Sequence, residues 1–327
     1  MRKKIKKALI FGVTGQDGSF MARLLLKKNY LVNGLVRKSA TGNLKNITDI
    51  INNKKFTMHH GDLLDFHSIT NVIKKTMPHE IYNFADQDHV AWSFDVPSYS
   101  FGVTGSSIID ILEIIKKYSP KSKYFQPISS NVFGNSKKKK QNENEPFSPL
   151  SIYALGKVTA YHACKLYRDV FNLKVYGAIF YNHESEIRPE EYVTRKITRS
   201  VARIFYGKQK KLILGDINAK IDWGYAPDYV EASHKIMQLE KPDFFIIATG
   251  KKYSVKEFVQ KCFSFVGLNY KKYLKTNKRL YRPGKSMSLS GDTTKARNIL
   301  RFKVKTDLNK LISIMMKNDL KIEKNNN

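Results

Sequence analysis

A glycine-rich turn near the start of the chain limits its fold more than any other feature. An apolar run, Ala8 to Phe11, passes directly into this turn, and a helical pattern, Phe20 to Leu26, follows it. The turn consists of Gly12, Val13, Thr14, Gly15, Gln16, Asp17 and Gly18. Such an order predicts a strand, a phosphate-binding turn and a helix whose N-terminal amides face a pyrophosphate. A purely structural turn can also be rich in glycine, but the position directly after a strand favours a dinucleotide site.

The charge that follows the second apolar run indicates which dinucleotide is bound. This run covers residues 30–36, and Arg37 comes next. An NAD site usually places an acidic residue there to hold the ribose hydroxyls, whereas an arginine suits the extra phosphate of NADP. The sequence therefore favours NADP, and the alternative is that Arg37 is a solvated residue of a lysine-rich chain.

Strand-like and helix-like segments alternate along the chain, less regularly after about residue 184. Later strand-like runs occupy 55–60, 80–85, 123–128, 174–180 and 244–249, and residues 108–117 form one of the helical segments between them. This alternation predicts an α/β fold with a doubly wound parallel sheet, in which ligands bind at the carboxyl ends of the strands. We expect a dinucleotide-binding domain over 1–183, joined by a returning strand near 243–250. A smaller, partly interleaved substrate domain should cover 184–320, and residues 321–327 should form a frayed tail.

Composition restricts the class of protein. The chain has 327 residues and a formal net charge of +30, but its lysines are scattered, and the one dense run, at 137–140, leads into a polar segment. The sequence lacks a zinc-type or base-stacking pattern, so a nucleic-acid partner is not expected. No apolar run reaches the ~18 residues that a membrane span needs. The two cysteines, Cys164 and Cys262, are far apart, which suits a reducing, cytoplasmic location.

Candidate catalytic residues follow the run at 123–128. Ser129 comes directly after it, and Tyr153 and Lys157 stand four positions apart, on one face of a predicted helix. An ammonium group beside a phenol lowers the phenol's pKa, which gives an acid–base group for interconverting an alcohol and a ketone. The Tyr-x-x-x-Lys pattern recurs elsewhere in the chain and is a poor signal alone. Together with the glycine-rich turn and the serine, it predicts a dehydrogenase-type site.

With these motifs, the chain resembles the extended short-chain dehydrogenase/reductases and, among them, the GDP-mannose 4,6-dehydratase family. The resemblance runs from about residue 7 to 303. Its more distinctive segments are Asn182-His183-Glu184-Ser185, Val193-Thr194-Arg195-Lys196-Ile197, Asp222-Trp223-Gly224 and Tyr281-Arg282-Pro283. It implies a Rossmann fold, a GDP-sugar substrate, NADP as cofactor, and a homodimer or homotetramer.

The resemblance also implies roles for individual residues. Those expected at the cofactor, besides the turn, Arg37 and Lys157, are Asp62, Leu63, Phe84, Ala85, Asp86, Gln87, Asp88, Tyr99, His183 and Arg188. Those expected at the substrate nucleotide are Asn182, Val193, Lys196 and Arg282. For His183 and Arg188, the alternative is a satisfied loop network.

Departures from the family pattern concern the chemistry directly. Family dehydratases carry Thr-x-Glu after the fifth strand, and the glutamate removes the proton at C5, but this chain has Ser129 and Asn131 there. An asparagine amide does not accept a proton at neutral pH, and losing a general base typically costs about 10² to 10⁴ in rate. Asp86 and Asp88 stand where the family has small residues, so either could compensate. Ile221 and Lys285 are further departures, replacing an arginine and an acidic residue.

Three functions remain open at this stage. The first is a GDP-sugar 4,6-dehydratase with an altered base. The second is a C4 dehydrogenase, ketoreductase or epimerase acting on a related nucleotide sugar, which needs Ser129, Tyr153 and Lys157 but no glutamate. The third is a non-catalytic dinucleotide-binding protein, which the retained Tyr153 and Lys157 disfavour.

Overall fold

The computed structural model describes residues 5–280 and 288–325. Its strands are β1 Lys7–Phe11, β2 Leu31–Val36, β3 Phe56–His60, β4 Glu80–Asn83, β5 Lys123–Ser129, β6 Lys174–Phe180, β7 His183–Glu184, β8 Leu212–Leu214, β9 Lys220–Ile221, β10 Gly224–Tyr225, β11 Phe244–Ile247, β12 Tyr253–Ser254 and β13 Leu274–Thr276. Its α-helices are α1 Gln16–Lys27, α2 Phe66–Thr76, α3 Trp92–Asp95, α4 Pro97–Phe101, α5 Ser107–Tyr118, α6 Ile152–Asp169, α7 Val193–Phe205, α8 Ala226–Met237, α9 Val255–Phe265, α10 Thr294–Leu300 and α11 Leu308–Asn325.

Seven parallel strands form the central sheet, in the order β11-β6-β5-β4-β1-β2-β3. The predicted doubly wound α/β fold is therefore confirmed. Strand order reverses between β1 and β4, and ligands of such sheets bind at this switch point, beyond the carboxyl ends of the strands. The strand expected near 243–250 is β11, which pairs with β6.

Apolar side chains pack on both faces of the sheet, as a doubly wound sheet requires. One cluster lies against α2, α5 and α6, and the other against α1, α8 and α10. A third cluster is separate from the sheet and joins α7, α9 and α11 with β8. This third cluster is the core of a smaller lobe built from the second half of the chain.

The end of the chain contradicts the expectation of a frayed tail at 321–327. Helix α11 extends to Asn325, and Glu323 is buried. Its carboxylate lies 2.5 Å from the Arg199 guanidinium on α7, and one turn earlier Asp319 pairs with Arg195 at 2.8 Å. Two buried ion pairs therefore hold α11 against α7. Across the described ranges, no helix is both long and apolar enough to cross a bilayer.

Candidate active site

The glycine-rich turn follows β1, continues into the first residues of α1 and touches the chain beyond β4. Gly12 has a φ of +72°, and a Cβ there would lie 2.6 Å from the backbone nitrogen of Ala85. A Cβ on Gly18 would lie 2.2 Å from the Gly12 carbonyl oxygen. Only glycine fits these two positions. At Gly12 the left-handed backbone and the nearby backbone atoms both exclude a side chain, and at Gly18 the nearby backbone atoms alone exclude one. Gly15 precedes α1 and no side chain caps this helix, so its first amides suit a pyrophosphate.

Polar contacts tie the turn to the segment after β6. Asp17 Oδ2 lies 2.8 Å from His183 Nε2, and Ser185 Oγ donates to Gln16 Oε1 at 2.6 Å. Burial is the largest single influence and opposes both charges, but the partner's charge and the hydrogen bonds together outweigh it, so the pKa of Asp17 is lowered and that of His183 is raised. The His183 ring stacks on Tyr229, with centroids 4.6 Å apart. His183, which the resemblance places at the cofactor, thus contacts the phosphate-binding turn.

The residues expected near the adenosine half of the cofactor follow β2 and β3. Arg37 is exposed and donates to the Tyr99 hydroxyl at 2.6 Å, so the structure brings two expected cofactor residues together. Asp62 Oδ1 accepts from the backbone of Leu64 at 2.9 Å, and Leu63 is buried beside it. Arg37 therefore presents a cation just beyond the carboxyl end of β2.

Ser129, Tyr153 and Lys157 meet at the carboxyl end of β5. Ser129 is the last residue of β5, and the other two lie on the first two turns of α6. The Ser129 and Tyr153 side chains are hydrogen-bonded. Asn131 donates its amide to Ser129 Oγ at 3.1 Å. Asn131, which the resemblance places at the base position, therefore orients the serine.

The acid–base properties of Tyr153 differ from the sequence expectation. Its pKa is raised well above the ordinary value, first by burial and then by the negative charges of Asp86 and Asp88. Lys157, expected to lower this pKa, forms a buried ion pair with Asp86 and also donates to the Pro127 carbonyl at 2.9 Å. The pKa is raised because the phenol is buried and because Asp86 both balances the Lys157 ammonium and adds a negative charge near Tyr153.

Asp86 is held by further donors. Thr104 donates its hydroxyl to Asp86 Oδ1 at 2.6 Å, and the backbone nitrogen of Gln87 donates to the same oxygen at 2.9 Å. Thr104 was not predicted, since a threonine in a glycine- and serine-rich segment away from the strand ends gives no signal of its partner. Ala85 and Phe84 complete this segment of chain and lie against the glycine-rich turn.

A second polar group, which we call the Asp88 cluster, consists of Asp88, Glu184, Arg188 and Tyr192. Tyr192 donates its hydroxyl to Asp88 Oδ1 at 2.6 Å, and Arg188 lies 3.3 Å from Asp88 Oδ2 and 3.5 Å from Glu184. The Arg188 guanidinium lies 3.4 Å from the centre of the Tyr192 ring. Burial raises the pKa of Glu184, although Arg188 counters it. Tyr192 was not predicted, and its place just before the Val193 helix was the only available signal.

The residues expected to bind the substrate nucleotide lie around the start of α7. Val193 and Lys196 belong to its first turn and are partly exposed. Asn182 is exposed, and its carbonyl accepts from Gly224 at 2.8 Å. Arg282, like Lys285, lies outside the described residues. Ile221, where the resemblance implies an arginine, is half-buried and pairs with Tyr253 between β9 and β12.

Comparison with known proteins identifies the family. A family model described as GDP-mannose 4,6 dehydratase matches residues 9–315. The chain belongs to this family. It is 40% identical to GDP-mannose 4,6 dehydratase 1 of Arabidopsis thaliana, over 98% of this chain and 92% of that protein. It is 36% identical to the GDP-mannose 4,6 dehydratase of Homo sapiens, over 100% of this chain and 94% of that protein.

Solved structures show the same fold beyond the GDP-mannose 4,6-dehydratase family. UDP-glucose 4-epimerase of Thermotoga maritima matches with a TM-score of 0.85 at 20% identity, covering 97% of this chain and 99% of that one. dTDP-glucose 4,6-dehydratase of Bacillus anthracis, in complex with NAD, matches with a TM-score of 0.83 at 21% identity, covering 98% and 97%. The neighbours include nicotinamide-dinucleotide complexes, so this is the fold of enzymes that bind such cofactors.

Proposed function

We propose that this chain is an NADP-dependent enzyme that converts a GDP-sugar, GDP-mannose or a close relative, to its 4-keto-6-deoxy form. The observation that carries the proposal is the meeting of Ser129, Tyr153 and Lys157 beside the glycine-rich turn, in a member of the GDP-mannose 4,6-dehydratase family. The reaction oxidises C4, removes water across C5 and C6, and reduces C6.

NADP fits the residues present. The cradle of Gly12, Gly15 and Gly18 admits no side chain at its closest contacts, α1 offers uncapped amides, and Arg37 supplies a cation beyond β2. When bound, NADP would take a hydride from C4 and return it at C6. His183 and Lys157 would complete the binding of its nicotinamide half.

The protein's own groups handle the protons at C4. Ser129 hydrogen-bonds the C4 hydroxyl, and Tyr153 takes its proton when the ketone forms. The Lys157 ammonium, which lies beside Tyr153, also forms the ion pair with Asp86, and the lysine side chain is only 4% exposed. The nucleotide would lie at the first turn of α7, against Val193, Lys196 and Asn182, with Arg282 on its phosphates.

A second candidate function is favoured by one observation. Asn131 replaces the glutamate base, and its amide donates to Ser129 rather than accepting a proton. A C4 dehydrogenase, ketoreductase or epimerase would need Ser129, Tyr153 and Lys157 but no such base.

We propose further that the protein is a cytoplasmic homodimer or homotetramer. Exposed apolar side chains on α5 and α6, among them Ile109, Leu155 and Leu166, support self-association. Two free, buried cysteines, Cys164 and Cys262, suit a reducing compartment.

Incubation of the purified protein with GDP-mannose and NADP tests the proposed reaction. The expected product is lighter by one water in mass spectrometry, and Tyr153→Phe should yield none. A product of unchanged mass that is an isomer of the substrate, or an oxidised sugar that keeps its C6 hydroxyl, would establish the second function instead.

A further inference from the structure

Elimination of water requires a group that removes the proton at C5, and Asn131 does not supply it. We propose that Asp88 is the general base for this step. This inference rests on the proposed function and adds the residue that makes dehydration possible without the family's glutamate.

The carboxylates of the site differ in how much of them a substrate could touch. Side-chain exposure is 46% for Asp88, against 18% for Asp17, 12% for Asp86 and 4% for Glu184. Asp17 is paired with His183, Asp86 with Lys157, and Glu184 accepts from Thr194 at 2.7 Å. A general base must contact the substrate, and among these four Asp88 is by far the most open to contact.

Asp88 also lies between the two parts of the site that the sugar nucleotide must span. On one side, its charge is one of the causes that raise the pKa of Tyr153, after burial and Asp86. On the other side, it accepts from Tyr192, the residue that precedes the first turn of α7. A hexose with its C4 hydroxyl at Tyr153 and its diphosphate at α7 therefore passes Asp88.

The surroundings of Asp88 hold the carboxylate without using all of its acceptor capacity. Tyr192 donates to one oxygen, and Arg188 lies 3.3 Å from the other. A carboxylate has about four lone-pair sites, so room for contact with a substrate C–H remains. Arg188, stacked on the Tyr192 ring, fixes the direction of both donors.

The proposed step balances as follows once C4 is a ketone. Asp88 takes the proton from C5, and the electron pair of that C–H bond forms a double bond between C5 and C6. The C6–O bond breaks, and the leaving hydroxyl departs as water with the proton that Tyr153 acquired from the C4 hydroxyl. Asp88 later returns its proton to C5 when C6 is reduced.

The test uses Asp88→Asn with GDP-mannose and NADP. We expect dehydration to fall by about 10² to 10⁴, while C4 oxidation continues and NADPH, followed by its near-ultraviolet absorbance, accumulates. Asp95→Asn, at an exposed aspartate in the following helix, should behave as wild type. Adding Asn131→Glu to Asp88→Asn should restore dehydration, because a carboxylate then occupies the family's position. A purely structural loss would not be rescued in this way.

A second variant covers the case in which Asp88→Asn does not fold. Tyr192→Phe keeps the carboxylate but removes the donor at 2.6 Å, and it should slow dehydration about tenfold with the same accumulation of NADPH. Dehydration at the wild-type rate in Asp88→Asn would overturn the proposal. It also falls if wild type does not dehydrate but Asn131→Glu does, which would leave the family chemistry intact. If neither dehydrates, the proposed function itself fails, and the inference with it.

Discussion

Replacing Asp86 by Asn tests how the buried ion pair with Lys157 acts on the site. The variant keeps an acceptor for Thr104 and for the backbone of Gln87, but it leaves the Lys157 ammonium without its counter-charge. Removing one partner of a buried pair costs about 3–5 kcal/mol. Lys157 retains the Pro127 carbonyl at 2.9 Å, so we expect a loss near the lower end, about 3 kcal/mol.

The expected loss in thermal stability follows from the size of the protein. An unfolding entropy of about 2.1 cal/mol/K per residue gives about 0.7 kcal/mol/K for this chain, so the melting temperature should fall by about 4 °C. Asp243→Asn is the matched control, because Asp243 also accepts from the next backbone nitrogen and pairs with a lysine, Lys295, but with both side chains partly exposed. It should cost at most about 1 kcal/mol. Calorimetry of both variants, without added NADP, measures the difference.

The same variant should shift the pH dependence of C4 oxidation. The Asp86 charge is, after burial, the largest cause raising the pKa of Tyr153, so removing it lowers that pKa. Oxidation requires the phenolate, and the rising limb of NADP reduction against pH should therefore move to lower pH. Asp243→Asn should leave the limb in place. Equal melting temperatures for the two variants, together with an unmoved limb, would refute the argument that Asp86 neutralises Lys157.

Three further predictions concern the cofactor half of the site. Gly12→Ala and Gly207→Ala both place a side chain at a φ near +70°, but of the two only Gly12 faces backbone within 3 Å. Gly207→Ala should lower the unfolding free energy by about 1–2 kcal/mol and leave NADP binding intact by titration. Gly12→Ala should cost more stability and abolish NADP binding. His183→Gln should destabilise the protein most between about pH 4 and 6.5, the ordinary pKa values of Asp and His. The pairing with Asp17 raises the pKa of His183 against the effect of burial, and it lowers the pKa of Asp17. The stability that the pair contributes is therefore lost as pH rises through the raised pKa of His183 or falls through the lowered pKa of Asp17. A difference in unfolding free energy between variant and wild type that does not change with pH would contradict this. Arg37→Ala should weaken NADP binding by about tenfold to a hundredfold, as loss of a charge-assisted hydrogen bond does, and leave NAD binding unchanged; equal losses for both cofactors in calorimetric titration would exclude a 2′-phosphate contact.

The sheet could be predicted from the sequence because its signals are local. Most strands of the central sheet are short, largely apolar runs, and the glycine-rich turn marks the switch point, so β1, β5 and β6 fall within a residue of their expected ends. The prediction of a frayed tail was wrong because the stability of α11 depends on two arginines more than a hundred residues earlier, on α7. Amphipathic pattern in a lysine- and asparagine-rich tail does not reveal a buried partner.

The electrostatics of the site were less predictable than its membership. The spacing of Tyr153 and Lys157 placed both on α6, but the direction of the Tyr153 pKa shift depended on burial and on the charge of Asp86, which follows β4 and pairs with Lys157. A charge on a loop acts through distance and burial, neither of which a single sequence contains. The sequence marks Asn131 and Asp88 as departures from the family pattern. Only the structure distinguishes the Asn131 amide, which orients Ser129, from the Asp88 carboxylate, which is exposed.

The two ion pairs between α11 and α7 link the last described helix to a helix that begins beside the candidate site. A chain cut before Asp319 would leave the guanidinium groups of Arg195 and Arg199 enclosed without their α11 counter-ions, and the helix that carries them starts at Val193. Truncation before Asp319 should therefore disturb α7, the helix at whose first turn we propose that the substrate nucleotide binds.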